Sequence, residues 1–142
     1  QDDYASLKES VKNSKEFTLY DFISKDMAGL LGAADVVVAR AGATSLLELA
    51  ALNKPTILIP NAKLTGGHQL KNAKVYEDAN AVIILNEDKL ENEPNLLVDA
   101  IKGILDSEKK AEQLSSNFAQ FAKPEAAKDV ADLVLAVGER NN

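Results

Sequence analysis

The sequence contains no cysteine and no tryptophan, and its single histidine is His68. The lack of cysteine excludes disulfides, thiolate nucleophiles and cysteine-based zinc sites, and one histidine cannot build a site with several histidine ligands. No apolar run approaches the roughly 20 residues of a transmembrane helix, and the first residues lack the basic and apolar regions of a signal peptide. We therefore expect a soluble, cytoplasmic protein.

Basic residues are also fewer than acidic ones. There are 16 basic and 22 acidic side chains, which gives a formal net charge of −6. No long-range field then draws the chain to phosphate backbones or anionic lipid, so nucleic acid is not an expected partner. At 142 residues, 46% of them hydrophobic, the chain has the size of one domain with one core. We predict a single domain over residues 1–142.

Three short apolar runs, residues 36–38, 56–59 and 81–85, are rich in β-branched residues and too short for helices. They are predicted as strands, and residues 17–23 as a further extended segment ahead of them. Because the runs are continuously apolar rather than alternating, they indicate a parallel sheet that is covered on both faces.

Helices are predicted between and after these strands. Residues 45–52 and 69–79 lie between strands, and Ser24 is a candidate cap for a short helix that follows residues 17–23. Three amphipathic helices are predicted to end the chain, with Pro124 between the last two. Their apolar positions are Leu97, Ala100, Ile101, Ile104 and Leu105; Ala111, Leu114 and Phe118; and Val130, Leu133, Val134 and Val137. The expected fold is α/β, a doubly wound parallel sheet with a helical carboxyl-terminal end.

In such sheets ligands bind beyond the carboxyl ends of the strands, and the glycine turn around Gly42 follows the first apolar run. The turn leads directly into a predicted helix whose free N–H groups favour a phosphate, with the hydroxyls of Thr44 and Ser45 as further donors. The alternative is that Thr44 or Ser45 only caps the helix.

Glu48 is the only charged residue between Arg40 and Lys54. Burying an unpaired carboxylate is costly, so Glu48 must reach solvent, pair with Arg40 or Lys54, or accept hydrogen bonds from a ligand. A ribose diol would offer two hydroxyl donors to this one carboxylate. These alternatives stay open from the sequence.

The polar loop that follows the second apolar run contains paired glycines and ends at His68 and Gln69. At a helix start these two side chains can exchange hydrogen bonds with sugar hydroxyls, although a lone histidine such as His68 is more often a surface or capping residue. We do not predict His68 to be catalytic, because no partner that would orient it is evident.

The G-x-G-x-x-G and G-x-x-x-x-G-K-[ST] motifs are absent, which argues against a dehydrogenase or a P-loop enzyme.

Residues 34–50, ADVVVARAGATSLLELA, resemble the carboxyl-terminal domain of the MurG family, the bacterial peptidoglycan N-acetylglucosaminyltransferases of glycosyltransferase family 28. Other positions on both sides of this segment match the family in the same order along the chain. They are Phe22-Ile23, Asp26-Met27, Asn53-Lys54-Pro55, Pro60, His68-Gln69, Asn72-Ala73 and residues 123–127. The resemblance implies a GT-B architecture of two Rossmann-like domains, with UDP-N-acetylglucosamine bound by the carboxyl-terminal one. It implies no metal ion and no cofactor.

The resemblance also implies binding roles by position, and no catalytic residue in this chain. Glu48 would hold the ribose hydroxyls, Gly42, Ala43, Thr44 and Ser45 the diphosphate, and His68 and Gln69 the sugar. The main chain of Ile23 would contact uracil, with Met27 nearby, and Arg40 beside the turn completes the candidate set.

The chain departs from the family pattern in two ways. The family's domain begins with a strand and a glycine-rich phosphate loop, and residues 1–15 resemble the stretch after them. The expectation is therefore a donor-binding part that is inactive alone and needs an amino-terminal domain or partner subunit to bind a lipid-linked acceptor. The loop of residues 61–67 also lacks the acidic or basic residue often found just before the sugar-contacting pair, which leaves the donor sugar open.

Several functions fit these observations. The leading expectation is an inverting transferase of cell-wall synthesis, peripheral on the inner face of the cell membrane. The alternatives are a diacylglycerol glucosyltransferase, a partner-dependent subunit of a dolichol-linked N-acetylglucosaminyltransferase, and a non-catalytic nucleotide-binding module. An uncovered sheet edge would also favour self-association.

Overall fold

The computed structural model describes residues 2–61 and 68–139, with side chains over 4–61 and 69–138. Its sheet has three parallel strands in the order β1 (Val37–Ala39), β2 (Thr56–Leu58) and β3 (Ile83–Ile84). Val37 pairs with Thr56, and Ile57 pairs with Ile83. The three apolar runs are thus confirmed as strands; β1 is shifted by one residue from its run, and β2 and β3 are shorter than theirs.

The expected strand at residues 17–23 is wrong. No strand is formed there, and Phe17, Tyr20 and Phe22 are 51%, 54% and 83% exposed. An extended segment becomes a strand only when a neighbouring strand accepts its backbone hydrogen bonds. None of the described strands pairs with this segment, so its apolar side chains stay in solvent.

Eight helices occur in the described ranges. They are α1 (Asp2–Val11), α2 (Met27–Ala33), α3 (Ala43–Ala51), α4 (His68–Asp78), α5 (Glu87–Asn92), α6 (Asn95–Leu105), α7 (Glu108–Ala119) and α8 (Ala126–Glu139). The predicted helices between strands are confirmed as α3 and α4, and the three amphipathic helices as α6, α7 and α8. The helix α1 and the short α5 were not predicted.

The cap predicted for the short helix is wrong, because α2 begins after Asp26 rather than after Ser24. Asp26 has a left-handed backbone, with φ of 59° and ψ of 30°, and its side chain makes no capping hydrogen bond. Residues with short polar side chains tolerate this conformation better than most, which explains an aspartate here.

The core is divided between the two faces of the sheet, as the continuous apolar runs predict. Leu58 belongs to a buried cluster with Leu46 and Leu49 of α3, whereas its neighbour Ile57 belongs to a second cluster with Ile104 of α6. Successive strand residues point to opposite faces, so helices cover both sides of the sheet. The doubly wound α/β fold is confirmed.

The carboxyl ends of the three strands form one edge of the sheet. The N–H of Ile59 donates to the carbonyl of Ala39, and the N–H of Leu85 donates to the carbonyl of Leu58, both at 2.9 Å. The connections that follow the strands therefore start side by side, and the candidate site lies among them.

The helices α2 and α8 contribute little to this core. α2 contains no buried residue, and the large apolar side chains of α8 are 51% to 65% exposed. None of the helices in residues 2–61 and 68–139 is long and apolar enough to cross a membrane.

Candidate functional site

The turn between β1 and α3 presents an open helix N-terminus. Gly42 is the N-cap and has no side chain to cap the helix, and the first bond of the helix runs from the N–H of Leu46 to the carbonyl of Gly42 at 3.0 Å. Within the described chain, the N–H groups of Ala43, Thr44 and Ser45 have no hydrogen-bond acceptor. Such a terminus is suited to an anion because the free N–H donors and the positive end of the helix dipole are both located there.

Thr44 and Ser45 do not cap α3, so that alternative is wrong. Both lie inside the first turn of the helix and are exposed. A capping residue needs a non-helical backbone just before the helix, and Gly42 occupies that position with φ of −75° and ψ of 130°. The two hydroxyls therefore remain available to a ligand at the same terminus.

The glycine at position 42 is not required by its backbone, since any residue adopts its φ and ψ. A side chain there would meet only the hydroxyl of Ser45, at 3.8 Å. Space, rather than conformation, is what the glycine provides. It leaves the start of α3 open to the close approach of another molecule.

A groove runs between α2 and α3, and we call it the α2–α3 groove. One part has a volume of about 350 Å³, and an adjoining part of about 200 Å³ extends to β1. Its walls are mostly apolar and are formed by Met27, Ala28, Leu31, Val37, Val38, Ala39, Ser45, Glu48, Leu49, Ala51 and Leu52. Glu48 is the one charged residue among them. A mostly apolar cleft with a few polar groups is the usual form of a small-molecule site.

Glu48 is exposed in this groove and forms no ion pair with another described residue. The alternative of an ion pair with Arg40 or Lys54 is wrong, because Arg40 pairs with Glu87 and Lys54 forms no ion pair with Glu48. Glu48 and Ser45 are three residues apart on α3 and therefore face the same side of the helix. The carboxylate thus lies one helical turn from the open N-terminus.

Arg40 contacts protein groups rather than the turn that follows it. Its Nη1 donates to the carbonyl of Ile59 at 3.1 Å, and its Nη2 forms a short ion pair with Oε1 of Glu87. The hydrogen bond to Glu87, opposed by partial burial and aided by the carboxylate's charge, raises the pKa of Arg40 above its usual range. Sequence reasoning missed Glu87, although opposite charges in the connections after two strands of one parallel sheet are a usable signal.

Gln69 lies in the first turn of α4, where its side-chain oxygen accepts a hydrogen bond from the N–H of Asn61 at 3.0 Å. This bond ties the start of α4 to the connection after β2. His68 is the first residue of α4, but its side chain and residues 62–67 lie outside the described part of the chain. The predicted contacts of His68 with a sugar therefore stay a prediction.

Ile23 and Met27 occupy different surroundings. Met27 lines both parts of the α2–α3 groove, whereas the half-buried Ile23 is not among its lining residues. Leu31 and Leu52 line the groove as well and were not singled out from the sequence. Their signal was weak, because leucines in helices are ordinarily core residues.

Asp26 and Gly29 fit together at the start of α2. A side-chain carbon at Gly29 would collide with the carboxylate of Asp26, so the missing side chain makes room for that carboxylate. Asp26 directly precedes Met27, and the left-handed backbone of Asp26 sets how the chain enters α2. The backbone at Asp26 therefore sets the direction of the helix that forms one wall of the groove.

No group of three or more histidine, cysteine, aspartate or glutamate side chains placed to hold a metal ion occurs in the part of the chain that the structure describes. The donors at the candidate site are main-chain N–H groups and hydroxyls, which suit an anion. The acceptors are the carboxylate of Glu48 and main-chain carbonyls, which suit hydroxyl or amide donors.

A protein-family model described as the glycosyltransferase family 28 C-terminal domain matches residues 1–130. Among curated proteins, a relative from Bacteroides thetaiotaomicron is 35% identical over 142 residues, covering 98% of this chain and 37% of the relative. A relative from Listeria welshimeri is 40% identical over 112 residues, covering 79% of this chain and 30% of the relative. Both are named UDP-N-acetylglucosamine--N-acetylmuramyl-(pentapeptide) pyrophosphoryl-undecaprenol N-acetylglucosamine transferase.

Among solved structures, the crystal structure of MurG from Acinetobacter baumannii matches with a TM-score of 0.71 and 26% identity, over 84% of this chain and 33% of that one. The chain thus spans 30% to 37% of the length of the curated relatives described above.

Proposed function

The chain belongs to the glycosyltransferase family 28 C-terminal domains, and on this premise we propose that it binds UDP-N-acetylglucosamine for a hexosyltransferase. The names of its relatives support this donor, since each states an N-acetylglucosamine transferase that uses the UDP-linked sugar. The observation that carries the proposal is the α2–α3 groove, where one unpaired carboxylate lies a helical turn from an open helix N-terminus.

Each part of the donor has a matching feature. The carboxylate of Glu48 can accept two hydrogen bonds from the ribose diol. The N–H groups and hydroxyls at Gly42 to Ser45 suit the diphosphate, and the apolar walls at Met27 and Leu31 suit the flat base. The main chain of Ile23 then contacts uracil, and His68 and Gln69 bind the sugar.

The chemistry assigned to this chain is binding and leaving-group stabilisation. In an inverting transfer, the acceptor hydroxyl attacks the anomeric carbon while the bond to the diphosphate breaks and UDP departs with the electron pair. The negative charge that develops on the diphosphate is stabilised by fixed donors at the start of α3, which need no reorganisation during the step. The general base for the acceptor hydroxyl is assigned to another part of the whole protein.

The whole protein is proposed to transfer N-acetylglucosamine to a lipid-linked muramyl-peptide acceptor in peptidoglycan synthesis. The acceptor named for the relatives, a pyrophosphoryl-undecaprenol, supports this choice. Acceptor binding is assigned to an amino-terminal domain or partner subunit, and the chain by itself is proposed to be inactive. Action on a membrane-bound lipid places the whole protein peripherally on the inner face of the cell membrane.

An amide NMR titration of the chain tests donor binding. UDP-N-acetylglucosamine and UDP should shift the signals of residues 42–48 and of Ile23, whereas ADP-glucose should not. Stronger binding of UDP-glucose than of UDP-N-acetylglucosamine would favour a glucosyltransferase instead. Equal affinities for UDP and both UDP-sugars would favour a module that uses only the nucleotide. An absence of shifts at millimolar ligand would contradict the donor site.

A further inference from the structure

One guanidinium links all three connections at the carboxyl edge of the sheet. Arg40 follows β1, its Nη1 contacts the carbonyl of Ile59 after β2, and its Nη2 contacts Glu87 after β3. Arg40 and Glu87 are 47 positions apart in sequence. The interaction is thus a long-range tie across the sheet edge, and we call the trio of Arg40, Ile59 and Glu87 the edge clamp.

Both ends of the edge clamp are held in place. Glu87 begins α5, whose N-cap Asn86 accepts a hydrogen bond from the N–H of Lys89 at 3.1 Å. On the other side, Ala41 follows Arg40 and is completely buried in the core. The next residue is Gly42, the N-cap of α3. The direction in which α3 starts therefore depends on a short segment that is fixed by burial at Ala41 and by the clamp at Arg40.

We propose that Arg40 is a positioning residue and that Glu87, without touching the donor, controls how well the start of α3 binds the diphosphate. This inference rests on the proposed function. Arg40 has each of its terminal nitrogens in contact with a protein acceptor, so its charge is directed to Glu87 and Ile59. Its effect on the donor passes through the backbone of residues 40–42.

A direct role for Arg40 makes the opposite prediction at Glu87. If the guanidinium bound the diphosphate, removing the charge of Glu87 would release it toward the ligand, and UDP would bind as well as before or better. If the edge clamp positions the turn, the same change weakens UDP binding. The sign of the effect of Glu87→Gln on UDP affinity therefore separates the two roles.

The test is calorimetric titration of UDP and of uridine into the full chain carrying Glu87→Gln, Arg40→Gln or both changes. We expect each single variant to weaken UDP binding by about threefold to fivefold, the range of a partly exposed ion pair, and to leave uridine binding unchanged. The double variant should be no weaker than the single ones, because both changes break one interaction.

Glu91→Gln is the matched control, since Glu91 lies with Arg40 and Glu87 on one groove and is exposed. It removes the same charge without touching the edge clamp, so UDP binding should stay as in the unchanged protein. A similar loss in Glu91→Gln, an equal loss for uridine, or unchanged UDP binding in Glu87→Gln would overturn the inference.

Hydrogen exchange of the Leu46 amide supplies a readout without ligand, because this amide bonds to the carbonyl of Gly42. Faster exchange in Glu87→Gln and Arg40→Gln, but not in Glu91→Gln, is expected. If the unchanged chain binds neither UDP nor uridine, the proposed function fails and the positioning role fails with it. If UDP binds and Leu46 exchange is unaffected in every variant, only the positioning role fails.

Discussion

The centre and the ends of this chain are packed very differently. Every buried side chain in the described residues lies between Val37 and Phe118, whereas none lies in α2 or in the described part of α8. The α2–α3 groove is built on the boundary, with α3 as a wall anchored by Leu46, Leu49 and Ala50 and α2 as a wall without such anchors. Glu48, which is proposed to hold the ribose, therefore lies on the wall that is anchored in the core.

The strongest test of this difference compares Phe118→Ala with Val134→Ala. Phe118 is completely buried and its ring meets that of Tyr76, whereas Val134 is 64% exposed on α8. We expect Phe118→Ala to lower the free energy of unfolding by about 3–5 kcal/mol. Val134→Ala should change it by less than about 0.5 kcal/mol. Urea denaturation measures both, and equal losses would show that α8 is packed after all.

The next prediction concerns Glu48 on α3, the wall of the groove that is anchored in the core. Glu48→Gln keeps the size of the side chain but removes the charge that strengthens hydrogen bonds to a ribose diol, so UDP affinity should fall by at least about tenfold. Stability should not change, because the carboxylate has no partner among the described residues. Calorimetry measures the affinity, with Glu112→Gln on α7 as the control. Unchanged UDP affinity in Glu48→Gln would argue against the assigned role.

The other wall of the groove, α2, is tested at two of its glycines, Gly29 and Gly32. In Gly29→Ala the new methyl group has to displace the exposed carboxylate of Asp26, so we expect a smaller gain in the free energy of unfolding than in Gly32→Ala. In Gly32→Ala the methyl group meets nothing within 4 Å, so better helix propensity should add up to about 1 kcal/mol. Urea denaturation compares the pair, and equal responses would contradict the fit between Asp26 and Gly29.

The smallest expected effect concerns Tyr76, which joins α4 to the core. Burial raises the pKa of the Tyr76 phenol, and its ring packs on Phe118 and Phe121 at centroid distances of 5.4 and 4.6 Å. The folded state therefore keeps the proton longer than the unfolded state. This contribution is complete below the ordinary pKa and is lost as pH rises through the folded pKa.

Between about pH 9 and pH 11, the free energy of unfolding should therefore fall less in Tyr76→Phe than in the unchanged protein. The difference between the two should be under about 1 kcal/mol. Denaturation at several pH values measures the difference. Tyr20→Phe is the control, because Tyr20 is 54% exposed. An identical pH profile for Tyr76→Phe and the unchanged protein would contradict the effect of burial.

Much of the fold could be predicted because its cause is local. The apolar runs predicted strands that are covered on both faces, and the structure divides Ile57 and Leu58 between two clusters on opposite faces. The helical spacing of Leu114 and Phe118 likewise predicted α7, where both are buried. In these elements the periodicity of side chains and the buried face coincide.

The errors have causes that local patterns do not contain. Residues 17–23 have the composition of a strand, but a strand also needs a neighbour, and composition does not say whether one is present. Arg40 was weighed as a partner of Glu48, eight positions away, whereas it pairs with Glu87 across the sheet edge. At the site, helical spacing was enough to place Ser45 and Glu48 on one face, while their contacts with a ligand stay predictions.

The absence of buried residues in α2 has a consequence for measured affinities. A helix held by few buried contacts opens at a low free-energy cost, independently of global unfolding. The groove is complete only in the fraction of molecules whose α2 is docked, and the apparent dissociation constant equals the intrinsic one divided by that fraction. A substitution that holds α2 in place therefore tightens binding with no new contact to the nucleotide, by raising the population that is ready to bind.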